Sequence, residues 1–401
     1  MKSELLGTDE ILLPAGFRAA GVRAGIKKRE VKDLALLVSD TPATVAGVFT
    51  TNQVNAAPVK LCRERLTGGT ARAVVINSGN ANACTGADGL ADARRMATVT
   101  AEALGVPDET VFVCSTGHIG ARLPMDVVEA GVRHAAQKVS ATGGRDAAEA
   151  IMTTDIRVKH WTVKFQVDGK PVVLSGIAKG AGMIEPNMAT MLAFVMTDAA
   201  VDQAALQKAL AAAVNQSFNR ITVDGDQSTN DTVLLLANGQ AGHEAALNED
   251  HPAWPDFIAA LNEVTLQLAL KIVEDGEGAN KRITIIVEGA ESDADADKAA
   301  RAVANSFLVK TSWAGVYPNW GRVMDAIGYA KARVDEDKVD IWYDEHHAAH
   351  QGLATGIPLE TLKAVIEQTR FTIRINLNLG EGRAVVYTCE ITEEYVRINV
   401  T

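Results

Sequence analysis

The chain has 401 residues, a formal net charge of −11 and a pI near 5.3. With 47% hydrophobic and 22% charged residues it has apolar material for a sizeable core, which excludes intrinsic disorder. A net negative field argues against nucleic acid or an anionic membrane as the main partner, and at ~150 residues per domain the length predicts two or three lobes.

No apolar run approaches the ~18 residues of a membrane helix; the longest near the start is Leu34-Ala35-Leu36-Leu37-Val38. Lys2 is followed by Glu4, Asp9 and Glu10, so no signal peptide is expected. Cys62, Cys84, Cys114 and Cys389 form no C-x-x-C pair and read as thiols in a reducing cytoplasm.

Strand and helix patterns alternate along the chain. Residues 45–50 and 73–77 are predicted strands. A helix is predicted over 88–104, with Asp88 as a cap and Gly105 and Pro107 ending it. Residues 111–115 form a strand that leads into Thr116-Gly117-His118-Ile119-Gly120. Residues 124–138 form a helix with Pro124 in its first turn. Alternation over 157–174 predicts a hairpin turning at Asp168-Gly169. Then follow a helix over 199–217, a buried strand over 232–237, a helix over 254–273, a strand over 283–288 and a helix over 293–305. Asp293, Asp295 and Asp297 favour the positive end of that last helix. The final third predicts strands near 326–334, 371–378, 384–391 and 395–400, with a helix near 358–369. The polar stretch 335–356 reads as a surface hairpin or loop insertion. The pattern fits layered α/β or α+β architecture.

Several chemistries are absent from the sequence. There is no P-loop, no G-x-G-x-x-G and no G-x-S-x-G elbow. The run from Asp224 lacks the sixth-position Gly and twelfth-position Glu of an EF-hand. His346 and His350 have the spacing of H-E-x-x-H, but position 347 is His. A solvated loop is favoured there over a zinc site, so no metal ligand is assigned.

Four segments are rich in Gly, Asn, Thr and other small residues: 77–86 (NSGNANACTG), 115–120 (STGHIG), 179–191 (KGAGMIEPNMATM) and 222–232 (TVDGDQSTNDT). Glycine lets backbone approach a ligand closely, and Asn and Thr supply neutral hydrogen-bonding groups. Four such segments in one chain argue against simple connections. The run KGAGMIEPNMATML resembles the self-cleavage site of the ornithine acetyltransferase family, the bifunctional glutamate N-acetyltransferases of arginine biosynthesis. VFTTNQVNAAPV (48–59), MTTD (152–155), VEDGEGANK (273–281) and PNWGR (318–322), with the other three segments above, resemble family segments in the expected order.

The resemblance implies cleavage between Ala189 and Thr190 into an α chain, 1–189, and a β chain, 190–401. The β chain would complete the first lobe to about residue 280 and then form a C-terminal α/β lobe. The implied fold is a layered αββα sandwich with that smaller lobe. A Thr hydroxyl needs a base. A break before Thr190 supplies one on the same residue, because an α-amine has an unperturbed pKa of roughly 7.7–8.0. By resemblance, Thr116 and Gly117 form the oxyanion hole, which in enzymes of this kind is worth about 10²–10³ in rate per donor. By the same resemblance Lys179 would face a substrate carboxylate and Glu277 the ornithine ammonium, with Glu274 the less favoured neighbour, and Thr153, Asn399 and Thr401 would be further substrate contacts. The implied reaction is ping-pong transfer of acetyl from N²-acetylornithine to glutamate, with acetyl-CoA a second donor in some members, no metal and no cofactor, in an α2β2 assembly. An N-terminal-nucleophile amidase or peptidase, and an unprocessed metabolite-binding relative, are the alternatives.

Overall fold

The computed structural model describes residues 11–185 and 191–400. Its chain divides into two compact units. The first comprises Met1–Gly180, Asn187–Asn219 and Gln227–Ile272, and the second Ala181–Pro186, Arg220–Asp226 and Val273–Thr401.

In chain order the first unit contains β1 (Phe17–Val22), β2 (Leu34–Phe49), α1 (Ala57–Leu66), β3 (Thr70–Asn80), α2 (Gly86–Leu104), β4 (Val111–His118), α3 (Met125–Ala136), α4 (Gly144–Ala150), β5 (Lys159–Val167), β6 (Lys170–Lys179), β7 (Leu192–Thr197), α5 (Gln203–Gln216), β8 (Thr232–Ala237) and α6 (Trp254–Glu274). The strands form one sheet, ordered β4-β3-β2-β8-β7-β6-β5, with β1 on β2. β2 is far longer than its predicted 45–50 core. Its first half pairs with β1 through Leu34–Ser39, and its second half pairs with β8 through Thr44–Phe49. It is the strand on which the sheet turns over into two layers.

Side-chain parity shows the layering. Leu34, Leu36, Val75, Val111 and Val113 pack with Leu61 of α1, Met96 of α2 and Val132 of α3. The alternate residues, Leu37, Val74, Ile76 and Phe112, pack with Ile177, Phe194, Met196 and Leu234 of the other half. On that half's far side, a Cβ on Gly176 would lie 2.8 Å from Leu268 Cδ1 and 3.0 Å from Val264 Cγ1, so glycine is what lets α6 lie close. The order helix, sheet, sheet, helix is the expected αββα sandwich. β7 and β8 are buried at every position, as befits central strands covered on both faces. Asp168 and Gly169 take φ of +51° and +73°, the left-handed pair of a tight hairpin turn. Gly105 ends α2 at φ +66°, but Asp88 lies in the first turn of that helix and does not cap it.

The second unit contains β9 (Arg282–Ala290), α7 (Asp293–Asn305), α8 (Phe307–Ala314), α9 (Trp320–Gly328), β10 (Asp340–Tyr343), β11 (His346–His350), β12 (Leu353–Ala354), α10 (Leu359–Ile366), β13 (Arg370–Asn376), β14 (Gly382–Cys389) and α11 (Glu393–Ile398). The strands form a mixed sheet ordered β12-β11-β10-β13-β9-β14. Ala296, Ala299, Ala300 and Val303 of α7 pack on Ile283, Ile285 and Val287 of β9, and the small side chains let helix and sheet approach closely. Two predicted strands are corrected. Residues 320–328 are helical, with Val323, Ala326 and Ile327 buried at helical spacing. Residues 393–398 are helical, with no buried residue; alternation of Val and Ile there imitated a strand. The histidine cluster is corrected too: His346–His350 is a strand, not a solvated loop.

Candidate active site

β3 and β4 run parallel, and their ends carry the first two Gly/Asn-rich segments. Asn77, Asn80 and Asn230 are buried and act as internal donors. Asn77 Nδ2 donates to Asn80 O at 2.9 Å, and Ser115 Oγ donates to Asn77 Oδ1 at 2.5 Å. Asn230 Nδ2 donates to Ala81 O at 2.6 Å and Ser115 O at 2.8 Å. These amides satisfy carbonyls that the irregular β3–β4 register at Gly79 and Asn80 leaves outside the ladder. Replacing Asn230 with Leu strips two buried carbonyls of their donor. We expect a loss of about 2–4 kcal/mol in urea unfolding.

That framework shapes the Thr116-Gly117 corner. Gly117 has φ +133°, and a Cβ there would lie 2.3 Å from Gly79 C and 2.5 Å from Asn80 N. Only glycine fits. Thr116 is buried and Gly117 is exposed. At the end of β6, buried Lys179 donates from Nζ to Thr116 Oγ1 at 3.3 Å. An ammonium only donates, so Thr116 Oγ1 is the acceptor in that bond and its proton is directed elsewhere. The structure therefore brings Lys179 to the Thr116-Gly117 pair, more than sixty residues away in sequence.

Thr153 joins them through Asp155. The Asp155 carboxylate accepts from Lys159 Nζ at 2.6 Å, Gly180 N at 2.7 Å and Thr153 N at 2.9 Å. Burial pushes its pKa up, but Lys159 and Lys179 outweigh burial and hold the carboxyl well below the usual range. Lys27 adds a further cation. Its Nζ donates to Met152 O at 2.6 Å, and burial, with Lys179 contributing, lowers it to about 8 against the pull of Asp33.

Ala189 and Thr190 lie outside the described residues, as does Thr401. The residue after Thr190 is held: Met191 N donates to Asp231 Oδ1 at 2.9 Å. Asp231 is fully buried, and its Oδ2 has no hydrogen-bond partner. Burial pushes its carboxyl well up, against the Met191 N–H and Lys179. Asp155 and Asp231 lie in the MTTD and TVDGDQSTNDT runs, and neither is among the candidate residues of the sequence. The signal was present as a lone acid in each of two Thr/Asn-rich runs, MTTD and STNDT.

The second unit holds the remaining candidates. Asn399, at the end of α11, donates from Nδ2 to Glu277 Oε2 at 2.5 Å. Glu277 N donates to Ala181 O at 3.0 Å. A Cβ on Gly182 would fall 2.5 Å from the Glu277 carboxyl carbon, so this glycine makes room for that carboxylate. Glu274 is occupied, pairing with Arg282 and Arg370 at 2.7 Å each, which leaves Glu277 as the better candidate. Upstream of the Ala189–Thr190 junction, Met183 N and Ile184 N donate to Asp224 at 2.6 and 2.9 Å, and Tyr395 OH donates to the same carboxylate at 3.0 Å.

The ArgJ family matches residues 18–401. The chain belongs to the ArgJ family. ArgJ relatives match along nearly the whole length. The arginine biosynthesis bifunctional protein ArgJ of Geobacter sulfurreducens is 49% identical, with 96% of this chain and 98% of that protein covered. Its namesake in Caldanaerobacter subterraneus is 48% identical, with 97% of each covered. A solved chain of ornithine acetyltransferase from Mycobacterium tuberculosis, complexed with ornithine, is 46% identical, with 46% of this chain and 98% of that chain covered and a TM-score of 0.44. The likeness read from KGAGMIEPNMATML and its companion motifs is thus borne out at the level of the ArgJ family.

Proposed function

We propose that this ArgJ protein is a self-processing glutamate N-acetyltransferase of arginine biosynthesis, moving acetyl from N²-acetylornithine to glutamate. In the processing step the Thr190 hydroxyl attacks the Ala189 carbonyl. The C–N bond breaks, an ester forms on Thr190 Oγ1, and water hydrolyses it to leave an Ala189 carboxylate and a Thr190 amine. In the transfer step that amine accepts the proton of the Thr190 hydroxyl as it attacks the acetyl carbonyl, then passes it to departing ornithine. Thr116 and the Gly117 N–H stabilise the oxyanion. Glutamate takes the acetyl group from Thr190 in the second half of the cycle. Lys179, Thr153, Glu277, Asn399 and Thr401 bind substrate, the cation facing α-carboxylates and Glu277 facing the ornithine ammonium.

The observation that carries this reading is the Lys179–Thr116 bond, which spends the hydroxyl's acceptor side and keeps its proton available for an oxyanion. Breaking the chain before Thr190 does not separate the halves. β6, from the α chain, pairs with β7, from the β chain, through Leu174–Lys179 and Leu192–Thr197, and β8 pairs with β2. Two such αβ pairs form the α2β2 assembly. The four cysteines are free thiols, in keeping with work in a reducing cytoplasm.

The test offers N²-acetylornithine or acetyl-CoA as donor, with and without glutamate. Ornithine release that depends on glutamate, with N-acetylglutamate formed, is expected; the acetyl-CoA arm defines the donor range. Equal release in water alone identifies an amidase and overturns the proposal. A second expectation concerns Gly182→Ala. The new methyl displaces the Glu277 carboxylate, which is the end of a flexible side chain, so stability changes little. KM for acetylornithine rises about tenfold or more, and kcat falls less.

A further inference from the structure

Among the described residues, one group of three side chains in the second unit brings metal-ligating atoms together, and none of the three is among the candidate active-site residues above. Asp340, His347 and His350 each offer one ligand atom, and the three atoms lie within 4.8 Å of one another. We propose that these residues form a binding site for a divalent transition-metal ion, with Zn²⁺ the best fit to two imidazoles and a carboxylate.

The geometry depends on an irregularity in the sheet. His347 and His350 are three residues apart, so in a regular strand they would point to opposite faces. The β10–β11 register shifts between Ile341 and Trp342: Ile341 faces Ala349, and Trp342 faces His347. One extra residue on β11, Ala348, is thereby taken up as a bulge. Ala348 and Ala349 both turn into the core, at 1% and 0% exposure. That double inward step brings His347 and His350 out on the same face as Asp340. Two adjacent alanines supply the small side chains that such a step needs.

The ligand atoms are placed for use. His350 Nδ1 lies 2.7 Å from Asp340 Oδ1, and His347 Nε2 lies 3.7 Å from the same oxygen. His347 Nε2 is buried and has no hydrogen-bond partner, which is a cost that a ligand would remove. Its ring is fixed by stacking on Trp342, with centroids 4.4 Å apart and planes 11° apart. Asp340 is oriented by Asn378 Nδ2 at 2.9 Å and Gln351 N at 3.0 Å, the outer support that metal ligands require. His350 is more than half exposed, so an ion has an entry path. Binding displaces the proton between His350 and Asp340 and leaves a fourth position for water. The ion clips β10 to β11, and the His cluster read from sequence as solvated is reassigned to His347 and His350, with His346 outside it.

The test uses untagged full-length protein and Co²⁺ followed by Zn²⁺. One equivalent of Co²⁺ is expected to give a saturable visible d–d band that Zn²⁺ abolishes. His347→Ala and His350→Ala, checked for an unchanged circular dichroism spectrum, each weaken Co²⁺ binding by at least about tenfold. His346→Ala leaves it unchanged. No band at one equivalent, a band that survives both His347→Ala and His350→Ala, or an equal loss in His346→Ala overturns the site.

Discussion

Thr190→Ala should leave the protein as one uncut 42.5 kDa chain, whereas the native protein should give two fragments by mass spectrometry, the second beginning at Thr190. The variant lacks both the oxygen that attacks the Ala189 carbonyl and the oxygen that carries acetyl. Without the cut there is also no free α-amine to act as base. Loss of nucleophile and base together removes a unit that acts as one, and activity should fall by more than about 10³-fold. Thr190→Ser keeps a hydroxyl and should still be cut and still transfer acetyl. An uncut Thr190→Ala protein that works at the native rate would show that acetyl transfer runs through another group. Folding should be nearly unaffected, since the central strands β6, β7 and β8 make their ladders without Thr190.

Asp155→Ala should have the largest effect on stability, about 3–5 kcal/mol in urea unfolding. Its side chain and that of Lys159 are 0% and 1% exposed, so removing the carboxylate leaves Lys159 buried with its charge uncompensated by Asp155. Gly180 N and Thr153 N lose their acceptor at the same time. The effect depends on pH in a definite direction. The folded carboxyl titrates below its unfolded value of about 3.9, so its contribution is complete above that pH and fades as pH falls through it toward the folded pKa. The stability gap between native and variant protein should therefore be widest near neutrality and narrow below about pH 4. A constant gap across that range would mean that Asp155 acts through packing alone. Because Gly180 follows Lys179, Asp155→Ala should also reduce transfer in protein that remains folded.

The candidates for the site were legible in the sequence. Lys179, Thr116 and Gly117 sit in compositionally unusual segments, and Thr153 and Glu277 are named only by the family resemblance, which implies a role for each. The supporting acids were marked only as lone acids in Thr- and Asn-rich runs, without a role. Asp155 and Asp231 matter because of what burial and a distant neighbour do to a carboxylate, and spacing carries no information on either. The roles of the Asn-rich runs were only half legible: Asn77 and Asn230 serve carbonyls within the fold. Secondary structure failed where local pattern was weak. Short α9 and α11 carry Val and Ile at spacings that also suit a strand; α9 is helical with Val323, Ala326 and Ile327 buried on one face, whereas α11 is helical with no buried residue.

Composition and periodicity determined by themselves that this is a globular α/β protein, and the motifs determined its family, because those properties are written in local order. Tertiary structure decided which charges survive burial, that one long strand turns the sheet into two layers, and that a bulge at Ala348 puts His347 and His350 on one face with Asp340. The reason is that electrostatics and strand register depend on groups brought near by folding, and residues distant in sequence leave no mark of their eventual distance in the chain.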